Sequence, residues 1–458
     1  MDEEHQPLPT RPSSGRLAQV LAEWKTLALL GGPIVVAQLA QMANGVIDTV
    51  MAGHYRAEDL AAVGIGTSLW SPLLLFFFGV LSAQQPTISG HRGAGETDQI
   101  MSVTWQGLYI AGASTVLMIA LLLSAGPLLP LLGLGDETAA IAEGYLQAFV
   151  WGVPALLLTM SLRGLTDGLG HTRVIMVISL ISALINLPLN YVLIYGEFGL
   201  PEMGGIGCGW ATALSNTAAA LIMLAYLHYS KHYRRYHLIG DWVAPRWSRI
   251  QQLLRLGLPI GASMFVEVSM FGVIALFLAP LGAVVVAGHQ IVLNITAVVF
   301  MVPLSLGFAL TLRVSFLMGA GTPDTARLLA RTTLLLGLGI AMVHIPVLLF
   351  GREFLVSLYT SDPEVIAVGS RLLVFAAIFQ LADILQVTAI SALRGYKDTR
   401  IPLGIMLLSF WGICLPLGYV LTFTDWLVPA LGASGFWLAL IVGLTCAGVL
   451  LITRLWRF

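Results

Sequence analysis

Residues 26–51 read TLALLGGPIVVAQLAQMANGVIDTVM, an apolar run that holds a single charged side chain, Asp48. A helix rises about 1.5 Å per residue, so about 20 such residues cross the hydrocarbon of a bilayer. The stretch reads as a transmembrane helix, and its pattern recurs along the chain. Twelve segments qualify, near 26–51, 60–85, 101–128, 140–162, 174–195, 205–229, 250–279, 284–311, 327–350, 364–392, 401–422 and 430–453. Composition agrees: 57% of residues are hydrophobic and only 10% charged, with mean hydropathy +0.86, where a soluble domain carries about 25% charged residues. The fold class is an all-α polytopic membrane protein with 12 transmembrane helices.

The first segment has a counterpart. Gly32-Pro33-Ile34 opens segment one and Leu258-Pro259-Ile260 opens segment seven, an offset of 226 residues. Gly93-Ala94-Gly95 with Asp98 returns at the same offset as Gly319-Ala320-Gly321 with Asp324. Leu162-Arg163-Gly164 then matches Leu393-Arg394-Gly395, and Leu187-Pro188-Leu189 matches Leu415-Pro416-Leu417. The chain is read as an N-terminal tail (1–25), a six-helix bundle (26–230), a basic linker (231–249) and a second six-helix bundle (250–458). An even number of crossings per half gives the two copies one orientation, a parallel repeat used by transporters whose substrate path lies between repeats. Pro33 and Pro259 read as lying in the first turns of helices one and seven, where Pro is tolerated. The pair also reads as two equivalent bend points.

Lys and Arg set orientation in the membrane. With the amino terminus inside, 20 of the 23 Lys and Arg fall on internal segments; Arg56 and Arg352 fall outside, and Arg371 lies within segment ten. Both termini are therefore expected to be cytoplasmic. The first 25 residues, with Asp2, Glu3, Glu4 and several prolines, lack the apolar core of a cleaved signal, so segment one is expected to remain as an anchor. Cys208, Cys414 and Cys446 have no ligand-like spacing and read as packing residues. No phosphate-binding loop of Walker type and no G-x-S-x-G is present, which argues against an ATP-driven pump or a membrane hydrolase. The chain is read as a non-enzyme without a cofactor.

Asp48, Glu267 and Asp383 each interrupt a spanning run. An ionisable side chain at membrane depth costs about 2.5–3.5 kcal/mol on insertion scales and is a functional candidate by default. The repeat sends Asp48 to Ile274, Glu267 to Gln41 and Asp383 to Gly152, so a near-symmetric scaffold carries asymmetric charge. No Lys or Arg is expected deep enough to neutralise these acids except Arg371, twelve residues before Asp383 and so about 18 Å away along a helix. Such a carboxylate binds a proton or a cation such as Na⁺, either of which can link an ion gradient to a conformational cycle. Glu267 and Asp383 share one half and read as a joint cation site, with Asp48 acting separately. Polar residues at helical spacing extend the set: Ser263 before Glu267, Gln386 after Asp383, Asn44 before Asp48, and the pairs Asn186 with Asn190 and Gln290 with Asn294. These line a hydrated cavity or join helices. His289, of the type that titrates near neutrality, reads as a satisfied histidine. Trp70, Phe76, Phe77, Phe78, Met264, Phe265, Met270 and Phe379 read either as an adaptable surface for flat cations or as ordinary packing.

Val46-Ile47-Asp48-Thr49-Val50-Met51-Ala52-Gly53, Phe265-Val266-Glu267-Val268, Val286-Ala287-Gly288-His289-Gln290 and Ser391-Ala392-Leu393-Arg394-Gly395-Tyr396-Lys397-Asp398 give the chain a resemblance to the multidrug and toxic compound extrusion family, most of all to its bacterial NorM branch. The resemblance runs from about residue 25 to the end. It implies two bundles in a V around a central cleft, exporting varied, often cationic aromatic drugs and dyes by antiport with H⁺ or Na⁺. It implies a monomer in the bacterial inner membrane, with small molecules and membrane lipid as partners and no nucleic acid. It assigns Glu267 and Asp383 to cation coupling and Asp48 to the first-half acid, with Asn186 and Asn190 beside it. Phe379 stands where some Na⁺-coupled relatives have Tyr, which weakens the Na⁺ assignment. The alternative is a lipid-linked oligosaccharide flippase of related fold, which calls for a basic cavity that the sequence does not offer.

Overall fold

The computed structural model describes residues 15–127, 129, 135–234 and 242–458; the expected tail before residue 15 and linker residues 235–241 lie outside the described residues. Among the described residues the chain is helical and no strand occurs. In order, the helices are α1 (Arg16–Tyr55), α2 (Ala57–Ser82), α3 (Gln84–Gly93), α4 (Thr97–Ala125), α5 (Asp136–Val150), α6 (Val153–Gly168), α7 (Arg173–Tyr195), α8 (Gly205–Tyr229) and α9 (Lys231–Arg234). There follow α10 (Trp247–Leu278), α11 (Ala283–Gly319), α12 (Pro323–Phe350), α13 (Arg352–Ser357), α14 (Pro363–Gly395), α15 (Arg400–Leu407), α16 (Leu415–Phe423) and α17 (Ala433–Leu455). A π-helical turn, Leu408–Cys414, joins α15 to α16 within one span.

Eleven spans among the described residues are long and apolar enough to cross a membrane, and α5 with α6 makes a twelfth if the bent pair counts as one. The twelve segments read from the sequence are all present. The fourth is broken at Trp151-Gly152, with a 47° change of direction. Pro154 at the start of α6 has no amide to continue the helix ladder. Gly152 itself is required by close packing, since a Cβ there would lie 2.6 Å from Ala213 Cα on α8. Its repeat counterpart in α14 is Asp383, which sits in an unbroken helix.

Two compact units emerge from packing: Val36–Ser269, and Met1–Val35 together with Met270–Phe458. The cuts fall inside α1 and α10, whereas the repeat halves read from the sequence meet in the linker. Each of these two helices therefore begins in one unit and ends in the other. Glycines explain the arrangement. Within the 36–269 unit, a Cβ on Gly79 of α2 would lie 2.5 Å from Gly261 Cα, and one on Gly257 would lie 2.3 Å from Val80 O. Gly257 and Gly261 are four residues apart on α10, the small-xxx-small spacing that lets membrane helices approach backbone to backbone. Gly31, the 226-offset counterpart of Gly257, faces α11 in the other unit, where a Cβ would meet Ser305 O at 3.5 Å and Ala309 Cβ at 3.6 Å. The opening helix of each half thus packs on the second helix of the other half.

Two expectations are corrected. Pro33 and Pro259 do not lie in first turns: α1 starts at Arg16 and α10 at Trp247, so both prolines are interior and remove an amide donor mid-helix. Nor is Arg371 the only cation to weigh, because Arg163 and Arg313 are buried in α6 and α11. Arg313 donates from Nε and Nη2 to both Glu23 oxygens at 2.7 Å each. Arg163 Nε donates to Asp167 Oδ2 at 2.9 Å, and Gln85 Nε2 donates to the same oxygen at 3.3 Å. Glu23, Asp59 and Asp167 are further buried acids. The sequence reading placed Glu23 in the tail and Arg163 and Arg313 in loops because apolar runs stop before the helices do.

Candidate functional site

In the 36–269 unit the site is built around Asp48, buried near the end of α1. Asn186 and Asn190, one turn apart on α7, share a helix face. Asn190 Nδ2 donates to Asp48 Oδ1 at 2.7 Å and to Asn186 Oδ1 at 3.0 Å. Thr212 of α8 donates from Oγ1 to Asp48 Oδ2 at 2.9 Å. Cys208, one turn before Thr212, is buried and its Sγ lies 3.7 Å from the Asp48 carbonyl oxygen. Each carboxyl oxygen of Asp48 thus has a donor, and both donors are neutral. A hydroxyl both donates and accepts, so Thr212 can follow Asp48 between its ionised and protonated forms. Asn44 Oδ1, Asn190 Oδ1 and Asn186 Nδ2 are buried with no hydrogen-bond partner among the described residues.

Beside this group lies an aromatic cluster. Trp70 Nε1 donates to Tyr145 Oη at 3.1 Å, and the Trp70 and Phe149 rings stack at 4.6 Å. Trp70 and the buried Phe77 pack within this unit's core, as does Phe76. Glu267 is half-buried on α10 and belongs to this unit. The Ser263 hydroxyl donates to Pro259 O at 2.8 Å along its own helix.

In the other unit Asp383 lies on α14, only 2% exposed. Glu267 and Asp383 therefore fall in different compact units. Around Asp383 on α14 are the buried Phe379, Gln380 and Gln386. Gln386 Nε2 contacts Met406 Sδ at 3.2 Å. The rings of Phe379 and His289 both meet Trp437 of α17 edge-on, each at 5.9 Å. Both His289 nitrogens, the Gln380 amide, Gln386 Oε1, Thr388 Oγ1 and Trp437 Nε1 are buried without a hydrogen-bond partner among the described residues. His289 is thus not the satisfied histidine the sequence suggested. Buried polar groups are normally paired, and a cluster of exceptions calls for an explanation. Gln290 and Asn294 are exposed on another face of α11. Among the described residues no group of three or more His, Cys, Asp and Glu is placed to hold a metal ion. A Na⁺ ion here would draw on amide, hydroxyl and carbonyl oxygens as well as a carboxylate.

The structure sets Asn186 and Asn190 beside Asp48 and places Phe379 and Gln386 on α14 with Asp383; Thr212, Gln380 and Trp437 also stand in these groups and were not singled out as site candidates from the sequence. Gln380, three residues before Asp383, was open to the helical-spacing argument. Thr212 reaches Asp48 across 164 residues of chain, and no local pattern announces that contact.

Comparison with known proteins fits this architecture. The MatE family model matches residues 33–192 and again 259–420, two copies that begin 226 residues apart. The probable multidrug resistance protein NorM of Idiomarina loihiensis is 44% identical over 435 residues, 95% of this chain and 94% of that one. The multidrug resistance protein MdtK of Yersinia enterocolitica is 41% identical over 440 residues, 96% of each. Among solved structures, the eukaryotic MATE transporter AtDTX14 superposes with TM-score 0.87 at 20% identity, over 96% of this chain and 97% of that one. The Vibrio cholerae MATE transporter VcmN in its bent form gives 0.85 at 19% identity, over 96% and 98%. At these identities the structures show a shared fold, while the doubled model match and the full-length relatives show that the chain belongs to the MatE, or multidrug and toxic compound extrusion, family.

Proposed function

We propose that this multi-pass membrane protein is a secondary active multidrug efflux transporter. It exports organic, often cationic aromatic compounds from the bacterial inner membrane by alternating access, in exchange for H⁺ or Na⁺. The observation that carries the coupling is Asp48, buried in a spanning helix with only neutral hydrogen-bond donors, Asn190 and Thr212, on its carboxyl oxygens. Gaining a proton there removes a full charge from a low-dielectric site, and the conformation that best tolerates each charge state differs. Asp383, Gln380, Gln386 and His289 give the other unit a second buried polar group set, for a cation or a second proton. Phe379 packs its ring on Trp437 and supplies no oxygen ligand, which favours H⁺ at the expense of Na⁺. Glu267 joins the coupling set by its place in a spanning helix and by family resemblance.

Proteoliposomes with an imposed gradient and a fluorescent organic cation test the reading. Dye transport is expected to follow a pH jump in Na⁺-free vesicles, and Asp48→Asn to blunt that response. The Glu267→Gln and Asp383→Asn double variant keeps side-chain volume but loses the titrating charge, and its dye transport is expected to collapse. Normal transport by the double variant overturns coupling through these acids. Transport that ignores pH and tracks a Na⁺ gradient overturns the preference for H⁺. Movement of a labelled lipid-linked saccharide, with no dye transport, would favour a flippase.

A further inference from the structure

A pocket of about 620 Å³ opens where α13 meets α14. Arg352, Glu353, Ser370, Arg371, Val374 and Phe375 are among its lining residues. On α14, Ser370 with Val374 and Arg371 with Phe375 stand four residues apart, and Arg371 with Val374 three, so these side chains lie along one helix face. Arg371, exposed, stands two turns into a spanning helix, about 12 Å along it from the first residue at helical rise. A guanidinium carries five N–H donors and no acceptor. Yet among the described residues neither Arg371 nor Arg352 has a hydrogen bond or ion pair, with each other's neighbour Glu353 or with any other side chain. The second sign of a ligand is Ser370, 7% exposed, which is among the lining residues and whose buried Oγ has no hydrogen-bond partner among the described residues.

We infer that this pocket binds the phosphate group of a membrane phospholipid, with Arg352, Arg371 and Ser370 on the phosphate and Val374 and Phe375 along the start of an acyl chain. Paired guanidinium donors match phosphate oxygens in a forked, charge-assisted geometry. Two arginines less Glu353 leave one net positive charge, which suits the single negative charge of a phosphodiester better than a free phosphate dianion. The apolar wall one turn beyond Arg371 is superfluous for a soluble anion and fits a lipid. A ligand of this kind also explains a charged side chain two turns inside a largely apolar span. The inference stands apart from drug transport and does not rest on it.

The full-length protein in detergent, titrated with phosphatidylglycerol, with phosphatidylcholine or with inorganic phosphate, provides the test, read by native mass spectrometry as the fraction holding one added molecule. The wild type is expected to retain phosphatidylglycerol in preference to phosphatidylcholine. The Arg352→Gln, Arg371→Gln double variant is expected to lose retention about tenfold, in line with removal of charge-assisted bonds. Glu353→Gln, which removes the one opposing charge, is expected to raise it. Equal retention by wild type and double variant overturns the site. Retention of inorganic phosphate without retention of lipid overturns the lipid assignment. If the double variant does not fold, Glu353→Gln decides: increased retention supports the site and unchanged retention overturns it.

Discussion

Arg313 and Glu23 show how a buried charge is held when it is structural. Two parallel hydrogen bonds of 2.7 Å join side chains that are 2% and 9% exposed, and the guanidinium also lies 5.1 Å from the Phe316 ring centroid. Removing one partner leaves the other charge buried, which typically costs about 3–5 kcal/mol, whereas replacing both by apolar residues of similar size is often neutral. Glu23→Gln is therefore expected to lower the melting midpoint in detergent sharply, and Glu23→Leu with Arg313→Met to restore most of it. A double variant no more stable than the single one would refute the account. Asp48 contrasts with this pair, because its donors are an amide and a hydroxyl. The shared face of Asn186 and Asn190 was legible by spacing, while their place beside Asp48 came from the family resemblance. Thr212 was not legible, since nothing local relates α8 to α1. Glu23 was passed over for another reason. A hydropathy reading ends where charge begins, but the helical ladder of α1 continues back to Arg16.

Helix α10 meets α2 through backbone, not side chains, and this contact makes an element-scale prediction. A Cβ at Gly261 would lie 2.4 Å from Phe76 O, a backbone atom that cannot swing aside, so the helices must separate. Overpacking of this kind costs about 1–3 kcal/mol or more. Gly261→Val is expected to lower the melting midpoint clearly, while Gly32→Ala, exposed and with nothing within 4 Å of a new Cβ, should gain a few tenths to about 1 kcal/mol through the unfolded chain. Comparable losses at both sites would count against the packing argument. The twelve spans were legible because apolar length survives any uncertainty about ends. The break in the fourth was not, although Gly152 and Pro154 mark it. A glycine in an apolar run gives no sign of whether it serves a bend or the close approach of another helix; Gly152 stands at the bend, yet its backbone is right-handed helical and close packing against α8 is what requires it. The prolines were misplaced for the same reason as Glu23: polar first turns were assigned to the tail and the linker.

For the whole molecule the internal repeat was the strongest signal in the sequence, and the doubled family match reproduces its 226-residue offset. The compact units were not legible, because exchange of the opening helices depends on which glycine meets which backbone, as Gly31 does at Ser305 and Gly257 at Val80. Orientation is an expectation drawn from charge. With 20 Lys and Arg on one side of the expected topology and two on the other, the loop after α8 is expected inside and the loop between α7 and α8 outside. Single cysteines at Lys231 and Glu202, both exposed, test this in a background where Cys208, Cys414 and Cys446 are replaced by alanine. Cys208 and Cys414 are buried and make no disulfide, so small replacements are expected to be tolerated. An impermeant thiol reagent added to intact cells should label Glu202→Cys and spare Lys231→Cys until the membrane is opened. The reverse pattern would place the amino terminus outside. Because an even number of crossings separates the two ends, it would carry the carboxyl terminus outside as well, and the charge bias would then need a different cause.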